Sequence, residues 1–148
     1  MLNILMIEDE EADAIMLRRA FDREGLDSAI QVVTDGREGV RYILGEGDYS
    51  AREKFPFPQV VFVDLNMPVM TGFEVLRWMK ENGTYDILPT MVFSSSNRRE
   101  DIEEAYRLGA NAYLVKPNSL SDLQKFARIT HEFWTNCAKP DIKRRSEG

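Results

Sequence analysis

Glu8 and Asp9 close the apolar run Leu2 to Ile7, and Asp64 closes Val60-Val61-Phe62-Val63 and leads into Leu65-Asn66-Met67-Pro68. Ser94-Ser95-Ser96 follow Thr90 to Phe93, and Lys116-Pro117 follow Ala112-Tyr113-Leu114-Val115. A lone carboxylate such as Asp64 at the end of a buried strand is costly unless something compensates it. If the four runs are parallel strands, these residues share one edge, where open α/β sheets bind ligands. Three carboxylates in one crevice repel each other and are pushed toward protonation unless a cation sits among them. Hard oxygen ligands with room for water suit Mg²⁺, which prefers one or two carboxylates plus phosphate oxygens. A hydroxyl and an ammonium beside a metal-bound carboxylate are the parts needed to hold a phosphoryl group. Its transfer is largely a matter of positioning and charge neutralisation.

The elements that must position these groups alternate from end to end, as βαβ units around a parallel sheet do. Leu2 to Ile7 reads as a first strand. The helix after it carries Glu10, Glu11 and Asp13 early and Arg18, Arg19 and Arg23 late, with Ala14, Leu17 and Phe21 as its buried stripe and Gly25 as its stop. Ile30 to Val33 reads as the second strand, and Asp35-Gly36 opens a helix to about Gly45. The third strand ends at Asp64, and Thr71-Gly72-Phe73-Glu74 reads as a capping box with Val75, Leu76 and Met79 facing inward. Thr90 to Phe93 is the fourth strand, with a helix from Asn97 and Glu100 to Gly109. Ala112 to Val115 is the fifth. Ser119 and Asp122 open the last helix, with Leu123, Phe126, Thr130 and Phe133 on one face. Phe133 and Trp134 are adjacent, so one of them is expected to be exposed. Gly45 to Pro58, with Tyr49, Phe55 and Phe57, reads as an ordered surface loop or partner contact.

The chain has 148 residues, enough for one domain that folds without metal or disulfide support. Expected boundaries are 1–136 for that domain and 137–148 for a flexible polar tail containing Lys143-Arg144-Arg145. A net charge of -6 argues against a nucleic-acid surface, and no stretch reaches the roughly 20 apolar residues of a membrane span. The single cysteine, Cys137, fits a reducing cytoplasm, and the apolar start lacks the basic leader of a signal peptide. His131 has no metal-ligand partner in sequence and reads as a surface or packing residue.

Glu8-Asp9, Asp64 within Val63-Asp64-Leu65-Asn66-Met67-Pro68, Ser94-Ser95, and Tyr113 three positions before Lys116-Pro117 together resemble the receiver domain of two-component response regulators over roughly residues 2 to 135. The resemblance implies a flavodoxin-like fold: a doubly wound five-stranded parallel sheet, order 2-1-3-4-5, with helices on both faces. It makes Asp64 the phosphoacceptor for a sensor histidine kinase. Asp9, Glu8, Asp64 and the main-chain carbonyl of Asn66 become the Mg²⁺ ligands. Ser94, Ser95 and Lys116 contact the phosphoryl group, with Ser94 preferred over its neighbours as the hydroxyl that reads it. Ser94 and Tyr113 form the switch, Asn66 and Ser96 tune dephosphorylation, and Lys116-Pro117 is a candidate cis peptide. The readout surface is the fourth helix, fifth strand and fifth helix, also a candidate homodimer face. Such a protein is a signalling phosphoacceptor and not an enzyme acting on other substrates. No output domain is visible, so signal is expected to pass to a downstream protein target or phosphotransfer protein. Tyr42-Ile43-Leu44-Gly45, the long connection after it and His131-Glu132-Phe133-Trp134 resemble regulators paired with bacterial phytochrome kinases.

Three other readings share parts of the pattern. An aspartyl-phosphate phosphatase or phosphotransferase resembling the haloacid dehalogenase group needs a second acid two residues after the nucleophile, where this chain has Asn66. A flavodoxin-type flavin site needs a phosphate-cradling loop after the first strand, and Glu8-Asp9-Glu10-Glu11 would repel that phosphate. A phosphorylation-independent interaction module of the same fold would have no need of the filled acidic and basic positions.

Overall fold

All five strands carry apolar side chains on both faces, as expected of a sheet covered on both sides. The structure, a computed structural model, describes residues 1–142. It contains β1 (Leu2–Ile7), α1 (Glu11–Arg23), β2 (Ser28–Val33), α2 (Gly36–Leu44), a 3₁₀ turn (Gly47–Ser50), β3 (Val60–Val63), α3 (Gly72–Glu81), β4 (Thr90–Ser94), α4 (Arg99–Arg107), β5 (Ala112–Val115) and α5 (Leu120–Asn136). The strands form one parallel sheet in the order β2-β1-β3-β4-β5, as the resemblance implied. The fold is flavodoxin-like.

Alternation along each strand divides the core in two. Leu5, Ile7, Val61, Val63 and Val92 pack under α2, α3 and α4 against Tyr42, Ile43, Leu76 and Ala105. Leu2, Ile4, Met6, Val60, Phe62 and Phe93 pack under α1 and α5 against Leu17, Phe21, Ala127 and Trp134. Among the described residues no helix is long and apolar enough to cross a membrane.

Local signals match closely at α2 and α3. Asp35 caps α2 through Glu38 N–H, Gly45 ends it in the left-handed region, and both halves of the Thr71–Glu74 capping box are formed. Elsewhere the boundaries shift for identifiable reasons. β2 begins at Ser28, because its pairing with β1 runs back to Leu2. α4 starts at Arg99 behind Arg98, not behind Asn97, because Ser96 Oγ accepts from Arg98 N–H and donates to Asp101. On α5 the buried face is Leu123, Ala127, Thr130 and Trp134, and Phe133 is the exposed one of the adjacent pair.

Two segments outside the βα rhythm are well anchored. In the Gly45 to Pro58 connection, the Arg52 guanidinium donates to the carbonyls of Tyr42, Ile43 and Phe55, closing the end of α2, and lies over the Tyr42 and Phe57 rings. The expected free tail is bound as far as it is described: Ile142 is 2% exposed within the α3-side core, and Lys139 Nζ donates to the carbonyls of Trp134 and Cys137. An apolar side chain in an otherwise polar stretch explains the return. Lys143, Arg144 and Arg145 lie outside the described residues.

Candidate functional site

β1, β3, β4 and β5 end together, and the residues just past them converge. Asp64 is held by its backbone N–H donating to the Ile7 carbonyl and by Leu65 N–H donating to Oδ1 at 2.7 Å. Glu8 is 1% exposed and accepts from Glu10 N–H through Oε2. One carboxylate oxygen each from Glu8, Asp9 and Asp64 lies within 4.8 Å of the others. Lys116 Nζ, at the end of β5, stands 2.7 Å from Glu8 Oε1, 2.7 Å from Asp13 Oδ2 and 3.2 Å from Asp64 Oδ2.

One ammonium does not balance four carboxylates. Asp9 Oδ1 is buried without a hydrogen-bond partner. Burial, reinforced by Asp64, outweighs Lys116 and pushes the Glu8 carboxyl up to about 7. Burial alone would lower the Lys116 ammonium, but Asp13 and Glu8 dominate and raise it, so the lysine stays charged. A hard divalent cation would supply the missing charge. The donor set fits one, with three convergent carboxylates and an orphaned oxygen among them.

The backbone around Asp64 tolerates little change. A Cβ at Gly72 would lie 2.1 Å from the Asp64 carbonyl oxygen, and one at Gly36 2.3 Å from that of Met70. Only glycine allows α3 and α2 to approach the loop after Asp64 so closely. The loop turns through Val69 at φ 66, with Met70 N–H donating to the Pro68 carbonyl. That conformation is strained for a β-branched residue. Asn66 is exposed on the same loop, two residues past Asp64.

Ser94 is fully buried, its Oγ accepting from Ser96 N–H and its carbonyl from Lys116 N–H at 2.8 Å. Ser95 is exposed. Tyr113 is half-buried, and its hydroxyl donates to the Ser96 carbonyl at 2.8 Å, tying β5 to the loop after β4. The Lys116–Pro117 peptide is trans, not cis as expected; trans is the favoured X–Pro isomer, and in this geometry Lys116 already reaches the carboxylates. His131 faces the Asp27 carbonyl in an exposed contact, as a surface or packing residue would.

Asp13 is the site residue that sequence reasoning passed over, having assigned it only to the acidic start of α1. The available signal was its spacing: four residues after Asp9, one helical turn carries it back over the same edge.

A family model described as the response regulator receiver domain matches residues 4–128. Response regulator Rcp1 of Synechocystis sp. is 30% identical over 131 residues, 88% of this chain and 87% of that protein. The Mn²⁺-bound structure of Rcp1 superposes with a TM-score of 0.81 at 29% identity, covering 95% of this chain and 99% of that one. A response regulator in red light signalling of R. palustris, RPA3017, gives a TM-score of 0.89 at 33% identity, with 95% and 99% covered. The phosphorylated cyanobacterial phytochrome response regulator RcpA gives 0.84 at 30% identity, with the same coverage.

Proposed function

As the chain belongs to the response regulator receiver family, we propose that Asp64 is its phosphoacceptor, taking a phosphoryl group from a phosphohistidine of a sensor kinase. The observation that carries this reading is the convergence of Glu8, Asp9 and Asp64 on one another, with Lys116 against Glu8 and Asp64 and the Asp9 oxygen orphaned. A carboxylate oxygen of Asp64 attacks phosphorus as the phosphorus–nitrogen bond breaks, and the electron pair returns to the imidazole. Glu8, Asp9, Asp64 and the Asn66 carbonyl would hold Mg²⁺, which neutralises charge on the phosphoryl oxygens when bound. Lys116 shields those oxygens from the other side. Ser94 and the exposed Ser95 border them, with the Ser94 hydroxyl as the reader.

Occupation draws Ser94 toward the phosphoryl group. Tyr113, bonded to Ser96 in the same loop, carries the change to the face of α4, β5 and α5. Asn66 and Ser96 then set the lifetime of the phosphoaspartate. The Ser96 hydroxyl is held by Asp101, so the exposed Asn66 is the one free to meet water.

Likeness to RcpA and RPA3017 supports a kinase of the phytochrome type as donor, in the cytoplasm, with a downstream protein or phosphotransfer protein as recipient. Tyr106, Val115, Ile129 and Phe133 stand exposed on the output face and suit it to self-association. Acetyl phosphate with Mg²⁺ should add one phosphoryl mass, absent in Asp64→Asn, and the treated sample should sediment as a dimer. Modification persisting in Asp64→Asn removes the acceptor assignment; an unchanged monomer removes the dimer alone.

A further inference from the structure

An ammonium has three hydrogens to give. In this structure Lys116 spends them on Glu8, Asp13 and Asp64, and the longest of the three contacts is the one to Asp64. The competing pair differ in how readily they let go. Glu8 is 1% exposed on the strand edge and further fixed by Glu10 N–H. The Asp13 side chain is 40% exposed, on the first turn of α1, where water can replace the lysine. A cavity of about 190 Å³ lined by Asp13, Met16, Phe93 and Lys116 gives the two side chains room to separate.

We propose that Asp13 is a positioning residue that parks Lys116 and competes with the phosphoryl group for it, holding down occupancy of the modified state. This rests on the phosphoacceptor reading of Asp64. When phosphoryl oxygens arrive they need a donor that Lys116 has already committed, and Asp13 is the partner whose release costs least, since exposed ion pairs are weak and exposed carboxylates re-solvate. An uncharged side chain at position 13 leaves one donor of Lys116 free in advance. Damage to the site would weaken phosphoryl binding; loss of a competitor strengthens it.

The test is beryllofluoride affinity in saturating Mg²⁺, measured by calorimetry, with phosphoaspartate lifetime as a second readout. Asp13→Asn should bind about fivefold more tightly than the parent chain, the size of a strong, partly exposed ion pair, and keep its phosphoryl group longer. Asp13→Glu, which retains the charge, should stay near the parent value. Asp13→Ser stands in if the asparagine variant does not fold. Equal or weaker binding by the folded uncharged variant overturns the role of Asp13 and leaves the acceptor reading intact. No binding by the parent chain removes both.

Discussion

The two ends of the sheet are built on opposite terms. At the amino ends, backbone and side-chain groups are stitched together. Gln59 and Asn3 exchange hydrogen bonds at 2.8 and 2.9 Å, Thr90 and Asn111 do the same at 2.8 Å, and Ile142 seals the edge near a cavity lined by Phe57, Leu88 and Pro140. At the carboxyl ends, three carboxylates gather on one lysine, an Asp9 oxygen goes without a partner, and Val69 holds a strained turn. One end is closed by neutral hydrogen bonds and apolar burial; the other is left short of positive charge. Stability resides where polar groups are satisfied, and chemistry where they are not.

The contrast can be broken at three points. Lys116→Met should cost about 3 kcal/mol in urea unfolding of the metal-free protein at pH 8, because it strands buried carboxylates. An unchanged midpoint would mean that the lysine does not hold this end together. Ile142→Ala should cost about 2 kcal/mol by loss of a buried side chain. The loss should be equal with and without Mg²⁺, and a dependence on the metal would show that the two ends are coupled. The third point concerns pH. Burial pushes the Glu8 carboxyl from 4.5, the value of an ordinary glutamate, up to about 7 in the folded chain, so the folded state holds the extra proton between those values. Its contribution to stability is therefore present below pH 4.5 and lost as pH rises through about 7, on the order of 3 kcal/mol in chelator. Glu8→Gln should flatten that slope, and an unaltered slope would assign it to another group.

Much of this division was legible in the residues. Strand ends are marked by abrupt changes from apolar to charged or hydroxyl side chains, so Glu8, Asp9, Asp64, Ser94 and Lys116 could be assigned to one edge as soon as the strands were taken as parallel. The Thr71–Glu74 box and the Asp35 cap were readable because capping is local. What escaped was set by tertiary contact. Ser96 displaced Asn97 as the residue organising the start of α4, by reaching Asp101 and Arg98 at once. The face of α5 was misplaced by adjacency, since Phe133 and Trp134 have equal claim on a core until packing chooses. Ile142 looked like part of a solvated tail because one apolar side chain among polar neighbours carries no periodicity. Asp13 looked like a helix-dipole residue because only the fold brings Lys116, past the end of β5, to the first turn of α1.

If phosphorylation acts through the loop after β4 as proposed, the hydrogen bond from Tyr113 to the Ser96 carbonyl imposes a reciprocity on any protein that grips the proposed output face. A single neutral bond of this kind is worth about 1 kcal/mol, so the loop after β4 is biased and not locked. Free-energy coupling has no direction: whatever shifts the loop on phosphorylation must, when it is held in place from outside, shift phosphorylation by the same factor. A bound recipient would thus feed back on the acceptor's occupancy, and the molecule would report the presence of its audience as well as the arrival of its message.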